Sequence, residues 1–298
     1  MGAETTEEIV LEAVGHQFPL LYPKRAVRLP AGEFQAWEID RETVFRFAID
    51  DEGSAKLRRE VDLLSRIGSA LPVRVPEIEF AGHPGESYRF AFNGYRKIKG
   101  RSGEVAGAVG TPVARQAGKF LSTLHSIPPR LAQAAKMPRM AAWSADVAAG
   151  VLGWAGEAAL PWVPDQIRER VDGFLHDAVM APPDGAVENV IVNADLKGEH
   201  VLISPDGGRI TGILDWADAC VSDPMVDFMG LISWLGPEFA WEVLGHYRRP
   251  VDPDFFVRAV YWARCFALDD VAQRVQGRSD VPLKVLQARL VRAFSGES

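Results

Sequence analysis

The sequence predicts an α+β protein with two lobes: a small strand-rich lobe over residues 1–98 and a larger helical lobe over residues 99–298. Three observations support this fold class. Short runs of aromatic and β-branched residues, alternating with polar ones, fill the first third of the chain. Apolar residues at helical spacing dominate the remainder. Within that part, Asp206-Gly207-Gly208 lies between two short apolar runs and predicts an embedded hairpin.

Composition argues against several classes of protein. The 298 residues carry a net charge of −7, whereas a nucleic-acid-binding surface is normally basic. No apolar run approaches the roughly 18 residues that a membrane-spanning helix needs. The segment Met1–Val14 carries glutamates and no basic residue, unlike a secretory signal. Cys220 and Cys265 are far apart, which favours a reducing compartment. We therefore expect a cytoplasmic protein without nucleic-acid or membrane partners. We also expect a monomer, although composition gives no signal of oligomeric state.

The first elements are predicted strands with a charged residue among apolar ones. Val27–Phe34 leads into Trp37-Glu38-Ile39, and a turn then leads into the strand Thr43–Ala48. In this last strand Phe45 and Phe47 share one face, because successive side chains of a strand alternate between its two faces. Arg46 lies on the other face among apolar residues and therefore needs a partner.

A helix is predicted next, over Ser54–Ile67, with Ser54 as its N-cap. Leu57, Val61 and Leu64 follow the helical period, and Glu60 lies about 40° from Leu64 on the helical wheel. Glu60 is therefore expected on the buried side of the helix. Since a buried charge without a partner is costly, we expect Glu60 and Arg46 to form an ion pair.

The rest of the chain is predicted from turn signals and helical periodicity. Two more strands and a linker precede the helical part: Glu77–Phe80, Tyr88–Phe92 and Tyr95–Gly100. Helices are then expected over the apolar stripe of Ala117–Leu124, over 130–180 with breaks at Pro161 and Pro164, over 225–249 and 252–273, and over a short last segment.

The hairpin brings together the residues with the strongest chemical signal. Asp195 lies on the loop before it, His200 opens its first strand, and Asp215 closes its second strand. Two carboxylates and an imidazole are therefore expected to converge at one end of the hairpin. In phosphoryl transfer one carboxylate orients the acceptor hydroxyl and another binds Mg²⁺, so this arrangement favours a phosphoryl-transfer site.

With these residues placed, the chain resembles the aminoglycoside and macrolide phosphotransferases, antibiotic kinases with a protein-kinase-like fold. The resemblance covers nearly the whole chain, and the stretch Gly53–Gly100 looks most like the enzymes that phosphorylate the 2″-hydroxyl of aminoglycosides. The motifs that carry it elsewhere are Asp195-x₄-His200, Gly212-Ile213-Leu214-Asp215-Trp216 and Asp223-Pro224-x-x-Asp227-Phe228.

The resemblance implies a role for each motif residue. Asp195 would be the catalytic carboxylate, Asp215 the main Mg²⁺ ligand, and His200 a second ligand or a hydrogen-bond donor to phosphate or metal-bound water. Arg46 would bind phosphate and Glu60 would hold it. The implied cofactors are Mg²⁺ with ATP or GTP, bound by the first lobe, and further nucleotide contacts are expected from Gly32, Arg96 and Ile98.

The chain departs from the family pattern in three places. Asn193 replaces the usual histidine before the catalytic aspartate, and Arg46 replaces the usual lysine. Arginine binds phosphate bidentately rather than as a compact point charge. The stretch 233–242 holds two carboxylates among several aromatic residues, where the 2″-enzymes carry an acidic cluster. We expect the substrate pocket to be formed by the helices after Asp227, with the stretch 231–242 close to it. A pocket with fewer charges would accept a less cationic substrate.

We therefore expect a kinase whose partners are a nucleotide and an aminoglycoside-type antibiotic, with a macrolide 2′-phosphotransferase as the alternative. A kinase of another hydroxylated metabolite and a nucleotide-binding pseudokinase also remain open. Asp218 and Glu238 are the candidate substrate carboxylates, against the alternative of a turn or a solvated face. Four further residues are expected to be structural: Asp227 as a brace for the Asp195 loop, His125 as a helix cap or core residue, and Trp234 and Trp241 as core residues.

Overall fold

The computed structural model describes residues 5–30, 32–105, 109–140, 144–177 and 188–296. It confirms an α+β architecture in which an antiparallel sheet precedes a mostly helical part. The sheet has the strand order β1-β2-β3-β5-β4, with every neighbouring pair antiparallel. Its strands are β1 (Ala26–Arg28), β2 (Gln35–Ile39), β3 (Thr43–Phe47), β4 (Ile78–Gly82) and β5 (Phe92–Arg96).

Helix α1 (Glu7–Gln17), which the sequence analysis did not predict, packs on this sheet. Its residues Val10 and Val14 join the rings of β3 and β5 in one core, where Phe47 and Phe92 stack with ring centroids 4.7 Å apart. All five residues of β3 are buried, so this central strand is covered on both faces. The expected placement of Phe45 and Phe47 in the core is confirmed.

Helix α2 (Asp51–Ile67) begins three residues before the predicted start. The predicted N-cap, Ser54, was wrong because Asp50 is the cap, its carboxylate accepting a hydrogen bond from Gly53 N–H at 2.7 Å. Ser54 is buried instead, and its hydroxyl donates to Asp50 O while accepting from Ala91 N–H. A side chain bonded on both sides by backbone groups joins the helix to the sheet.

Two predicted strands are shorter than expected, for reasons visible in the backbone. β1 ends at Arg28, before Pro30, which has no N–H to donate to a sheet. The predicted strand Tyr88–Phe92 contributes only Phe92 to β5. Ala91 O still accepts from Ala48 N–H at 3.0 Å, but Ala91 N–H bonds to the Ser54 hydroxyl instead of to a strand. Tyr95 and Arg96, predicted as linker, belong to β5.

Residues 97–100 join the sheet to the helical part, and the predicted boundary between the lobes, after residue 98, lies within this segment. The next strand, β6 (Arg101–Ser102), pairs with β8 (Val201–Ile203), which also pairs with β9 (Ile210–Ile213). A second small sheet pairs β7 (Val190–Val192) with β10 (Cys220–Ser222).

The remaining elements are helices around one large apolar core. They are α3 (Thr111–Leu124), α4 (Arg130–Ala134), α5 (Ala145–Ala159), α6 (Asp165–Asp177), α7 (Met225–Leu235), α8 (Pro237–Leu244), α9 (Phe255–Val275) and α10 (Leu283–Ala293). The breaks expected at Pro161 and Pro164 are confirmed, since a 3₁₀ turn over Leu160–Trp162 and Pro164 separate α5 from α6. Parts of the predicted helical stretch, 141–143 and 178–180, lie outside the described residues.

The single helix predicted over 225–249 is two helices. Gly236, at φ 90°, ends α7, and Pro237 begins α8. Glycine tolerates this conformation and proline suits the first position of a helix, so the pair redirects the chain. None of the described helices combines the length and apolarity that crossing a bilayer requires.

Candidate active site

The hairpin β8–β9 brings the three chemically distinctive residues together, as predicted. Val201 pairs with Ile213, and Leu214 N–H donates to His200 O at 2.8 Å, so the ends of the two strands stay paired. Asp195, His200 and Asp215 each present a ligand atom, and these atoms lie within 4.8 Å of one another. Two carboxylates and one imidazole form a small, partly buried cluster.

Asp195 is held between two nitrogen donors. His200 Nδ1 lies 3.2 Å from one carboxylate oxygen, and Lys197 Nζ lies 2.7 Å from the other. Burial alone would raise the pKa of Asp195, but the hydrogen bond from His200 and the charge of Lys197 hold it well below its usual range. Asp195 is therefore a carboxylate at neutral pH, able to accept a hydrogen bond from a hydroxyl group.

His200 lies between the two aspartates. Its Nδ1 is also 2.9 Å from Asp195 O, and its Nε2 is 3.7 Å from Asp215 Oδ2. Burial would lower the pKa of His200, but its contacts with both carboxylates raise that pKa to about 9. The ring is thus protonated at neutral pH, and it must lose a proton before it can ligate a cation.

Asp215 connects the hairpin to the N-terminal sheet. Its Oδ1 accepts a hydrogen bond from Arg46 at 2.6 Å, and Arg46 also contacts Glu60 at 2.6 Å. Glu60 is fully buried and accepts two further bonds, from Trp216 N–H and the Asn93 amide. The predicted Arg46–Glu60 pair is confirmed, and the structure extends it to the predicted metal ligand.

Two residues of the site have left-handed backbone, Ala194 at φ 66° and Asp215 at φ 55°. Such a conformation costs a non-glycine residue about 1–2 kcal/mol, so it needs support. At Ala194, Asp227 supplies it by accepting hydrogen bonds from the N–H groups of Asn193 and Ala194, at 3.1 and 2.9 Å. The predicted bracing role of Asp227 is confirmed.

The structure explains how an asparagine serves at position 193. Its Nδ2 donates to Asp215 O at 2.9 Å, and its Oδ1 accepts from Asp195 N–H at 3.2 Å. One buried amide therefore links the backbones of both aspartates. His125, expected as a cap or core residue, is fully buried and pairs with Asp227 at 3.0 Å and with the Tyr247 hydroxyl at 2.8 Å.

The other predicted nucleotide contacts lie at the edges of the site. Gly32, between β1 and β2, has open space where a Cβ would lie. Arg96 ends β5, is 72% exposed and pairs with Glu79. Ile98 packs against Gly212, whose Cβ position would lie 2.7 Å from it. Their nucleotide-binding roles remain predictions.

The two predicted substrate carboxylates lie apart from each other. Asp218 pairs with Lys56 of α2 at 2.9 Å, and Lys56 also pairs with Glu33 of the β1–β2 connection at 2.8 Å. Glu238 is exposed in the first turn of α8, against Gly296 near the end of the chain. A substrate role remains a prediction for both.

The predicted pocket stretch 231–242 adjoins residues 195–199 through Trp234, and this segment is named the catalytic loop for the role predicted for Asp195. Trp234 is buried, as expected, and packs against Gly198. Trp241 is 61% exposed and packs its ring on Phe256, so the expectation that it belongs to the core was wrong. Its helix, α8, starts in a new direction after Gly236, and the helical spacing from Trp234 no longer applies.

Sequence reasoning missed the cations that surround the catalytic loop. Arg289 pairs with Glu199 at 2.5 Å, and Arg292 pairs with Glu104 at 2.9 Å. Both arginines lie on α10, about ninety residues or more from their partners, so no local pattern indicated them. Lys197, two residues after Asp195, was close enough in sequence to be found.

Comparisons with known proteins confirm the family resemblance and the fold. The model of the APH family, described as the phosphotransferase enzyme family, matches residues 31–260. The structure of the GDP complex of aminoglycoside 2′-phosphotransferase-IIIa superposes with a TM-score of 0.79 at 21% identity, over 97% of this chain and 99% of that one. The apoenzyme of macrolide 2′-phosphotransferase MphH from Brachybacterium faecium gives 0.65 at 19% identity, over 98% and 99%.

A curated relative matches over a shorter stretch. The uncharacterized protein YcbJ of Bacillus subtilis (strain 168) is 37% identical over 57 residues, which span 19% of this chain and 18% of that protein. The superpositions establish a shared kinase-like fold with the antibiotic phosphotransferases.

Proposed function

The chain belongs to the APH family of phosphotransferase enzymes, and from this premise we propose that it is a small-molecule kinase. It transfers the γ-phosphoryl group of ATP or GTP, with Mg²⁺, to a hydroxyl group of an aminoglycoside-type antibiotic. The observation that carries this proposal is the convergence of Asp195, His200 and Asp215, tied to the N-terminal sheet by Arg46.

The residues of the site have the chemistry that the reaction needs. Asp195, ionised and partly exposed, accepts the hydrogen bond of the acceptor hydroxyl and holds its oxygen in line with the phosphorus. Arg46 lies at Asp215, where its guanidinium can donate to nucleotide phosphate oxygens. Glu60 keeps Arg46 in place from the buried side.

The donor atoms of the cluster fit a magnesium ion. Mg²⁺ prefers oxygen ligands and is commonly held by one or two carboxylates together with phosphates and water. Asp215 would hold it, with His200 in a secondary position because imidazole is an atypical ligand for this ion. Bound there, the ion would neutralise charge on the nucleotide phosphates.

An aminoglycoside is the first candidate acceptor because the chain shares its fold with an enzyme of that name. A macrolide is the second candidate, and one observation favours it. Glu199 and Glu104 beside the catalytic loop are already paired with arginines, which leaves fewer carboxylates for a polycation. A kinase of another hydroxylated metabolite and a pseudokinase are the remaining alternatives.

We expect the enzyme to act as a cytoplasmic monomer. Cys220 and Cys265 are buried and unpaired among the described residues, as in proteins of reducing compartments. The net charge of −7 argues against a nucleic-acid partner, since nucleic-acid-binding surfaces are normally basic.

The test is a phosphorylation screen that crosses ATP and GTP with aminoglycosides, macrolides and simple amino alcohols. Transfer to one class, dependent on Mg²⁺ and lost in Asp195→Asn, supports the proposal and identifies the acceptor. Nucleotide binding without turnover of any acceptor would instead favour the pseudokinase.

A further inference from the structure

Trp234, a buried residue of α7, lies against the loop that follows the catalytic aspartate. We propose that Trp234 is a positioning residue: its contact with Gly198 fixes the position of Lys197 and, through Lys197, that of Asp195. The inference rests on the proposed function, since it assigns Trp234 a part in phosphoryl transfer. Four sets of contacts carry it.

The first is the fit of the indole against two glycines. A Cβ on Gly198 would lie 2.3 Å from Trp234 Cδ1, and a Cβ on Gly103 would lie 2.5 Å from Cζ2. Real Cβ atoms do not approach other atoms so closely, so both positions must be glycine while the indole stays in place. One edge of the ring thus contacts the catalytic loop and the segment after β6 together.

The second is a backbone contact one helical turn earlier. Gly230 of α7 packs on the carbonyl of Leu196, and its Cβ would lie 2.5 Å from that oxygen. Residues four apart on a helix share a face, so Gly230 and Trp234 support the loop at two points. These points, Leu196 and Gly198, flank Lys197.

The third set of contacts lies on the opposite side of the catalytic loop. Gly198 O accepts hydrogen bonds from Glu104 N–H at 3.1 Å and from the Ser102 hydroxyl at 3.3 Å, and Gly103 N–H donates to Val201 O at 2.8 Å. Gly198 is therefore held between the indole and the 102–104 segment. Neither side of Gly198 therefore has space for an added methyl group or for a displaced indole.

The fourth is the connection to Asp195. Lys197 lies between the two supported residues, donates its backbone N–H to Asp195 O at 2.8 Å, and places its ammonium 2.7 Å from the carboxylate. Displacement of Gly198 therefore changes the position of the group that orients Asp195. Small misplacements of a catalytic group can cost about 10²-fold in rate.

The indole nitrogen makes no contribution through a hydrogen bond. Trp234 Nε1 is buried and has no partner among the described residues. Since a buried N–H without a partner is unfavourable, the tryptophan is better explained by its shape than by its polarity. Its role in the site is steric.

The experiment is a double-mutant cycle of Gly198→Ala and Trp234→Leu, read as kcat, nucleotide KM and melting temperature. Gly198→Ala should lower kcat by about 10–100-fold, with nucleotide KM within about twofold of wild type. Because the leucine makes room for the new methyl group, the double variant should lose less than the product of the two single losses.

Two matched controls separate this effect from general damage. Gly150→Ala adds a methyl group to α5 where nothing lies within 4 Å of the Cβ position. Trp162→Leu removes a half-exposed tryptophan from the 3₁₀ turn after α5. Both should keep wild-type kcat.

Three outcomes would overturn the inference. They are a Gly198→Ala enzyme with kcat within about twofold of wild type, single losses that multiply in the double variant, and variants that melt earlier but keep full kcat when folded. If wild type phosphorylates no acceptor, the proposed function fails, yet coupling of the two substitutions in melting temperature still tests the contact.

Discussion

The two sides of the catalytic cluster are held by different kinds of contact. On the side proposed to bind nucleotide, called the nucleotide side, charged side chains form one chain of contacts from Glu60 through Arg46 to Asp215. On the side proposed to bind the acceptor, the Asp195 carboxylate pairs with Lys197 and His200, but the loop itself is held through its backbone, by Asp227 at its start and by Gly230 and Trp234 after the aspartate.

The difference indicates which side changes when a ligand binds. A magnesium ion on Asp215 would share that carboxylate with Arg46, so we expect the contacts of the proposed nucleotide side to adjust when nucleotide and metal bind. The backbone contacts around Asp195 involve none of the residues that we propose to bind nucleotide. We therefore expect variants of the two sides to be separable, with nucleotide affinity changed by one and transfer rate by the other.

The largest effect is expected from Asp195→Asn. The amide keeps the shape of the side chain but cannot take up a proton from the acceptor, so kcat should fall by ~10² or more. Nucleotide affinity and the fold should stay near wild type, because the backbone contacts of the loop remain. The melting temperature should fall slightly, because Lys197 and His200 lose the charge that faces them. If this variant keeps more than a tenth of wild-type kcat, Asp195 is not the catalytic carboxylate.

Asp215→Ala should act on the nucleotide side. It removes the main oxygen ligand for the ion, so Mg²⁺-dependent nucleotide affinity should fall by about 10–100-fold in calorimetry. His200→Asn is the comparison, because an amide oxygen suits Mg²⁺ better than imidazole does. Its metal–nucleotide affinity should stay within about threefold of wild type. If both variants lose metal–nucleotide affinity equally, His200 contributes to metal binding as much as Asp215 does.

Part of the fold and part of the candidate site could be predicted from the sequence. The pair of Arg46 and Glu60 was predictable because each residue lies in a periodic element that fixes the direction of its side chain. The Asp206-Gly207-Gly208 turn set the hairpin, and with it the cluster of Asp195, His200 and Asp215. Local pattern was sufficient wherever the partners were fixed by strand alternation, helical period or a tight turn.

Other features could not be obtained in this way. The contacts of Trp234 with Gly103 and Gly198 join segments far apart in the chain and depend on the packing of α7. The α10 arginines meet their carboxylates only in the folded protein. The split at Gly236-Pro237, in contrast, had a sequence signal, since a glycine followed by proline commonly ends one helix and begins the next.

The charged chain of the nucleotide side can be tested by a double-mutant cycle on Arg46 and Glu60. Each alanine variant should weaken nucleotide binding or stability by ~1–3 kcal/mol, because it leaves a buried charge without its partner. The double variant should cost clearly less than the sum. Losses that simply add would contradict the contact.

An exposed pair provides the control for this cycle. Arg66 and Asp62 lie 3.8 Å apart on the solvent face of α2, and both side chains are largely exposed. Solvent screens such pairs, so their coupling should be close to zero. The contrast between the two cycles measures how much the burial of Arg46 and Glu60 contributes.

The smallest effects are expected at the outer carboxylates, Asp218 and Glu238. If both contact the acceptor, Asp218→Asn and Glu238→Gln should each raise the acceptor KM by about 2–5-fold, since exposed charges are screened. Nucleotide affinity should not change. The contact of Asp218 with Lys56 makes Lys56→Gln the informative comparison. If Asp218→Asn and Lys56→Gln both weaken nucleotide binding and spare the acceptor, Asp218 belongs to the nucleotide side, and Glu238 remains the only one of the two proposed for the acceptor.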